Sequence, residues 1–442
     1  PVKLAFATAG ASDTADGRID WRGAIPRADM ELRMDVKDAA GLAQLAGGLH
    51  LPTPLTLTAK LAATRTEQRA DPIALTVGRT AAQGRVAYRT DGPRPFLAAE
   101  LTSPGLDLSG GPRTKPRKSA RVFPDTPFPL DALRGMDGEA SIALARLVLP
   151  SGIPLEGVDV RAKLAGGKLD VQPIAARVAG GTVSGSLAVD ATPGRAGAIT
   201  LDVRGRDVKL GELAGATGRK ASVAGGSANA SIALRGPAES PRRFMAGANG
   251  EIRVVVGPMR VSGLNLEAGG DLLSGVLDAA MPARRREPYT DVRCAVVRLP
   301  VRDGVATANR SIAYETSKVN LVAAGTVNLR NEALDLAIRP TVKEGLGIGV
   351  MSLAELVKVT GTLADPSIGL DTLGSAKAAL SVGGAVLTGG LSLLGQNLLS
   401  RTGDPAPCQT ALGAVSAAPA SAPPATKSED DGLFGSVRRL FR

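Results

Sequence analysis

The sequence predicts a mainly β protein, an antiparallel meander with one wet and one apolar face, and three observations predict it. Short segments alternate apolar with polar residues, the period of a half-buried strand. Gly-rich or Pro-containing breaks separate them; 54 Gly and 30 Pro among 442 residues supply many turns. Convincing helical patterns are few: VKLGELAG near Val208, MSLAELVK at residues 351–358, and the region beyond Ser375.

The strands follow in chain order. LTLTAKL at 55–61, VDVRAKL at 158–164, KLDVQ at 168–172, ITLDVRG at 199–205 and EIRVVVG at 251–257 mostly alternate. AGG at 165–167, VAGG at 178–181 and TPGRAG at 192–197 break them. In GTVNLRNEALDLAIRP, at 325–340, Val327 and Leu329 alternate with Asn328 and Arg330, then Leu334, Leu336 and Ile338 with Asp335 and Ala337, giving two strands joined at a polar turn. Residues 78–108 echo residues 180–210 in their order of Gly, strand and turn, which suggests an extended sheet of similar units.

Composition removes several functions. Hydrophobic residues at 44% against 21% charged fit a folded chain. Seven Phe, three Tyr and one Trp leave the core to Val, Leu, Ile and Ala. The single His50, in GGLHLPTPL, gives little room for histidine metal sites or triads, and two cysteines cannot build a zinc–thiolate site. One disulfide stays open in an oxidising compartment. Ser184 in GTVSGSL lacks the strand-to-helix elbow and a base. No catalytic residue, metal or cofactor is expected, and the chain is not expected to be an enzyme.

The net charge of +11 sits in clusters: Arg113, Lys115, Arg117, Lys118 and Arg121; Arg284 to Arg286; and Arg438, Arg439 and Arg442. Without aromatic stacking platforms or a recognition helix, nucleic acid is not the expected partner. The first cluster, spaced by Pro and Gly, reads as a solvated linker.

Particular residues then carry a resemblance. VFPDTPFPLDALRGMDGEASIAL from Val122, LEGVDVRAKLAGGKLDVQPIAARVAGGTVSGSLAVD from Leu155, VRCAVVRLPVRDGVA from Val292, AAGTVNLRNEALDLAIRP from Ala323 and VKVTGTLADPSIGLD from Val357 together resemble the C-terminal half of AsmA-family proteins. The resemblance implies an elongated, curved antiparallel sheet that forms an apolar groove, of the kind found in bridge-like lipid-transfer proteins, in the periplasm of Gram-negative envelopes. It implies phospholipids as partners, a role in outer-membrane biogenesis and lipid homeostasis, and attachment to the inner membrane by an N-terminal helix, with the outer membrane a further contact. The chain begins PVKLAFATAG, so that anchor is expected to be absent from it.

On this reading the organisation is an N-terminal β-groove segment at 1–111, a basic linker at 112–121, an AsmA-like C-terminal region at 122–372, an apolar helical cap at 373–400, and a disordered tail at 401–442. Candidate groove residues are Val158, Val160, Leu164, Leu169, Val171, Leu201, Val203, Val327, Leu329, Leu334, Leu336 and Ile338, which would face lipid tails; the alternative is that they pack against a second sheet or a helix. About 20 strands at ~4.8 Å would run on the order of 100 Å. Residues 378–399 carry no charge, but their glycines and polar residues make a poor membrane span. The tail ends in DGLFGSVRRLFR, where Leu433, Phe434, Val437, Arg438, Arg439, Leu440 and Phe441 form a short amphipathic basic helix suited to an anionic membrane surface, or to docking on another protein. Family members often carry cysteines near Cys294 and Cys408, so the resemblance implies a disulfide between them. The competing function is an assembly or scaffold protein that binds envelope proteins through sheet edges and its tail.

Overall fold

A computed structural model describes residues 2–7, 11–20, 27–37, 54–77, 80–109, 121–216, 222–262, 289–343, 356–371, 404 and 406–413. Within them the chain forms one 23-stranded sheet. Its first part comprises β1 (Val2–Ala7), β2 (Ala11–Asp20), β3 (Arg27–Val36), β4 (Leu55–Ala63), β5 (Glu67–Val77), β6 (Thr80–Arg89), β7 (Phe96–Ser103) and the short β8 (Leu106–Asp107). The second comprises β9 (Asp137–Val148), β10 (Pro154–Ala165), β11 (Lys168–Val178), β12 (Gly181–Asp190), β13 (Ala198–Lys209), β14 (Ser222–Gly225), β15 (Ser227–Pro237), β16 (Asn249–Val256) and β17 (Met259–Ser262). The last comprises β18 (Tyr289–Arg302), β19 (Val305–Thr316), β20 (Val319–Asn328), β21 (Ala333–Val342), β22 (Leu356–Gly361) and β23 (Pro366–Asp371). Four short helices are described: α1 (Leu130–Gly135), α2 (Leu210–Ala216), α3 (Pro241–Ala246) and α4 (Pro407–Leu412).

The sheet is a meander, as its alternating sequence requires. β1 to β7 pair in succession, and so do β9 to β13, then β15, β16 and β18 to β23. β14 and β17 form a side ladder on β18. One junction departs from the expected antiparallel pattern: β7 and β9 are parallel. A parallel pair needs a long crossover, because the chain must return to the rim where the first strand began. The described parts of the connection from β8 to β9 are residues 108–109 and 121–136.

The internal echo extends upstream. β4 to β7 repeat β10 to β13, and both copies carry the tripeptide Pro-Ile-Ala at a register shift: Pro72 in β5 between Ala70 and Ile73, and Pro173 in β11 between Val171 and Ile174. Proline has no N–H for the ladder, so a bulge is where a strand can hold one. In each copy the isoleucine after the bulge stands opposite a glycine, Ile73 facing Gly84 and Ile174 facing Gly185.

Two expectations are corrected. Residues 356–358 of MSLAELVK lie in β22, whose Val357 is fully buried in the sheet, so tertiary pairing overrides the helical spacing there. The tail expected to be disordered from 401 contains α4, which packs on the sheet. VKLGELAG is strand to Lys209 and helix from Leu210. The apolar segment 373–400, the basic stretch 112–120 and the amphipathic terminus lie outside the described residues.

Candidate functional site

The pairing register lines up the apolar positions of successive strands into ranks across the sheet. Leu32, Ala59, Ile73, Gly84 and Leu101 stand opposite one another from β3 to β7. The parallel junction keeps step, setting Leu101 against Ile142. The rank continues through Val160, Ile174, Gly185, Val203, Ile232, Ile252 and Leu299 on β10 to β18. Every member is aliphatic or glycine. A neighbouring rank behaves likewise: Met30, Leu61, Ala70, Val86 and Ala99, then Ala140, Ala162, Val171, Leu187, Leu201 and Leu234, then Gly250, Val301, Ala306, Val327 and Leu334. Because side chains alternate, both ranks occupy one face.

The opposite face is charged. Cross-strand pairs stand in register on it: Lys60 with Glu31 at 3.7 Å, Lys163 with Glu139 at 3.6 Å, and Arg85 with Glu100. Exposed pairs of this kind contribute little stability; they keep that face wet. Two adjoining cavities of about 620 and 820 Å³ lie on it over β6, β7, β9 and β10, sharing Glu100, Ser141 and Arg161.

Glycines in the ranks bring backbones together. A Cβ on Gly185 would lie 2.5 Å from the Asp202 carbonyl oxygen. Gly250 has φ 145°, and its Cβ would collide with the Ala233 carbonyl oxygen. Glycine inside a strand marks such a close approach.

One rim of the apolar face is sealed. Val189, Ile199, Leu234 and Val301, at the strand ends nearest the β12–β13 and β18–β19 turns, are only 2–8% exposed. Phe244 of α3 belongs to the same buried cluster, and Phe123, Phe128, Leu130 and Leu133 of the crossover pack against it. The crossover forms a strap along this rim, held at both ends and in the middle. The buried Glu332 carboxylate, in the β20–β21 turn, accepts the Val122 N–H at 2.6 Å and the Phe123 N–H at 3.0 Å. The Ser240 hydroxyl donates to Asp125 at 2.8 Å and the Phe128 N–H to the Glu239 carbonyl at 2.9 Å. Arg134 Nε donates to the Ala191 carbonyl at 2.8 Å. Away from the strap the same face is half-exposed: Val160, Ile174 and Val203 are of intermediate burial and Ile142 is 36% exposed.

The candidate groove residues therefore divide. Val160, Val171, Leu201 and Val203 are half-buried on the ranks, and Leu164 faces Leu169 at the rim. Val158 is buried beside the Gly157 bulge. Leu169, Val327, Leu329, Leu334 and Leu336 belong to or pack on the sealed cluster, and Ile338 packs on a second cluster of Val319, Leu321, Val357 and Val359. In the 325–340 hairpin Val327 and Leu329 are buried in the sealed cluster, while Leu334, Leu336 and Ile338 are half-buried against protein side chains. The cluster is sealed by the strap, whose phenylalanines lie more than 200 residues away in sequence. Tyr314, beside Leu321 in the second cluster, has its phenol pushed up to about 12 by burial.

Cys294 and Cys408 are joined by a disulfide across 114 residues. It fixes α4 over Val296 and Ala313, which with Val255 lie on the face opposite the ranks. Arg310 pairs with the nearly buried Asp404 side chain at 3.0 Å. Cys294, Glu315 and Cys408 are the trio of ligand-type atoms brought together among the described residues, and both sulfurs are spent in the disulfide. No helix among the described residues is long and apolar enough to cross a membrane.

The candidates overlooked Leu32, Leu101, Ile142, Ile232 and Ile252. Their signal was available as alternation within MELRMDV, SIAL and EIRVVV. Glu332 carried no local signal.

An open sheet with one continuous aliphatic face and one charged face defines a groove protein rather than a closed sandwich. The family model described as the AsmA family matches residues 113–311, so that part of the chain is similar to AsmA-family proteins. That match supports a role in envelope or lipid-related processes in general. No curated protein and no solved structure matches the chain.

Proposed function

We propose that the chain is a non-catalytic carrier that accommodates phospholipid acyl chains along its apolar face, works in the periplasm between the membranes of a Gram-negative envelope, and contributes to outer-membrane lipid homeostasis. The observation that carries this reading is the central rank from Leu32 to Leu299, aliphatic or glycine at every strand and half-exposed over β9 to β13. A methylene leaving water gains about 0.8 kcal/mol, so a chain moves through aqueous space only along apolar surface that does not break. Aliphatic side chains and glycine supply that surface without interlocking aromatic rings across it. Twenty strands in succession at ~4.8 Å span about 90 Å along the path.

Native mass spectrometry with lipid extraction tests the reading on the wild type and Val160→Asp/Val203→Asp. Both positions are half-buried and lie outside the sealed cluster, whereas charges at Leu334 and Leu336 would break packing. Phospholipid should accompany the wild type and be lost from the folded variant. A wild type that stays empty after incubation with liposomes would sink the proposal and favour the scaffold reading.

A further inference from the structure

The face opposite the groove carries one cluster that the groove does not use. Register sets Cys294 of β18 opposite Glu315 of β19, and α4 brings Cys408 over the pair. Glu315 Oε2 lies 3.5 Å from Cys294 Sγ, and the two sulfurs and a carboxylate oxygen all lie within 4.8 Å of one another. We propose that in the dithiol form of the chain these three side chains bind a zinc ion, which then holds α4 on the sheet in place of the disulfide. The dithiol form precedes the disulfide in every chain, because cysteines enter a protein as thiols. The inference stands independently of the carrier reading.

The ligand set has the chemistry of zinc. Two thiolates make the site soft, which disfavours magnesium and calcium; one carboxylate supplies a third ligand and leaves the fourth position to water. Two cysteines alone are too few for such a site, and the third ligand comes from strand register rather than from a sequence motif. Thiolates at ~2.3 Å from one tetrahedral zinc stand ~3.8 Å apart, so reduction lets the sulfurs separate into the range the cluster already spans. Binding sends both thiol protons to solvent. Zinc, two thiolates and a carboxylate carry one net negative charge, and Lys343 beside Glu315 supplies the balancing one.

Glu315 is already oriented for this role. Lys343 Nζ donates to its Oε1 at 2.8 Å and to the Thr316 carbonyl at 2.8 Å, and Arg293 stands 3.8 Å from the same Oε1. Both cations thus occupy one oxygen and leave Oε2 toward the sulfurs. The side chain is 15% exposed, and among the described residues Oε2 meets the Cys294 sulfur, which in the disulfide has no hydrogen to donate. An enclosed carboxylate oxygen without a donor is a position that a cation fills. A hydrogen bond to the ligand's other oxygen is the ordinary outer shell of a metal site. Contacts other than its sulfur also bring Cys408 into reach: Ala411 packs with Val296 and Ala313, and Asp404 pairs with Arg310 at 3.0 Å.

Cobalt and zinc titrations of the full chain test the site. After reduction by a phosphine and removal of the reductant, a single equivalent of Co²⁺ should give thiolate-to-cobalt absorption in the near ultraviolet, and Zn²⁺ should displace it; the oxidised chain should give none. Exchange protection of residues 408–412, lowered by reduction, should return when zinc is added. Glu315→Gln should weaken zinc binding by about tenfold or more, the cost of losing even an outer-shell partner, and Cys408→Ser should remove the cobalt band. X-ray absorption of the zinc-loaded, reduced wild type should find two sulfur ligands at ~2.3 Å with oxygen completing the shell, and it decides alone should the variants fail to fold. A reduced wild type that binds neither ion would overturn the proposal, as would a zinc shell without both sulfurs. Equal affinity in folded Glu315→Gln would remove Glu315 from the site. Zinc bound with no return of protection would show that the ion does not hold α4.

Discussion

Glu332 and Val122 meet across 210 residues of sequence, where the Val122 N–H donates to Glu332 Oε2 at 2.6 Å. The other carboxylate oxygen takes the Phe123 N–H at 3.0 Å, and the side chain is almost wholly buried. One turn residue thereby fixes where the strap begins, and with it the sealed rim of the groove. Glu332→Ala takes the acceptor from the N–H groups of exposed Val122 and half-buried Phe123, and a hydrogen bond to a charged group contributes about 1.5–3 kcal/mol. Hydrogen exchange should show residues 122–130 losing protection while the β10–β13 ladder keeps its own. Glu332→Gln, which retains one acceptor oxygen, should fall between; equal protection in all three proteins would refute the clamp.

Gly185→Val should damage the groove floor. The new Cβ would stand 2.5 Å from the Asp202 carbonyl oxygen, a contact that backbone must move to relieve. Overpacking of this kind costs about 1–3 kcal/mol. Urea denaturation should show the loss, and Gly194→Ala gives the contrast in space, since nothing lies within 4 Å of a Cβ there although its φ of 78° adds a backbone penalty.

Reduction of the Cys294–Cys408 bond should free α4 before it disturbs the sheet. In the chain-entropy model a crosslink closing about 114 residues is worth roughly 4–5 kcal/mol. Dithiothreitol should therefore lower the thermal midpoint and strip exchange protection from Pro407–Leu412. Free-thiol labelling of the unreduced, denatured protein should find neither cysteine reactive.

Acid should loosen the β12–β13 turn only once pH falls below the ordinary carboxylate value. The Thr192 side-chain hydroxyl, then its backbone N–H, donate to Asp190 and hold its carboxyl below the ordinary 3.8. A depressed folded-state value means the contribution is fully present above the unfolded value and is lost as pH falls through the folded one. A carbon-detected NMR titration should show Asp190 titrating below 3.8, and Thr192→Ala, which removes the larger contribution, should move it upward.

Period-two alternation made the hairpin of Val327 and Leu334 legible in sequence, because opposite faces of a strand see different solvents. The same pattern gave ITLDVRG, EIRVVVG and the Gly-punctuated turns. It could not separate Val203, on a half-exposed face, from Val327, in a packed cluster, because both are apolar residues in alternating strands. Their difference comes from Phe123 and Phe128, brought over one rim by a crossover that the parallel β7–β9 junction requires. MSLAELVK shows the converse: helical spacing yields when Val357 can complete a ladder with Ile338.

By itself the sequence determined that this chain makes an extended sheet with one aliphatic and one charged face, since alternation and aliphatic composition are local properties. Tertiary structure alone decided that the aliphatic positions fall into unbroken ranks, that one rim is sealed, and that α4 is locked to the opposite face. Those outcomes depend on register between strands and on contacts such as Glu332 with Val122 and Cys294 with Cys408, whose partners are set by closure of the whole sheet rather than by their neighbours in sequence.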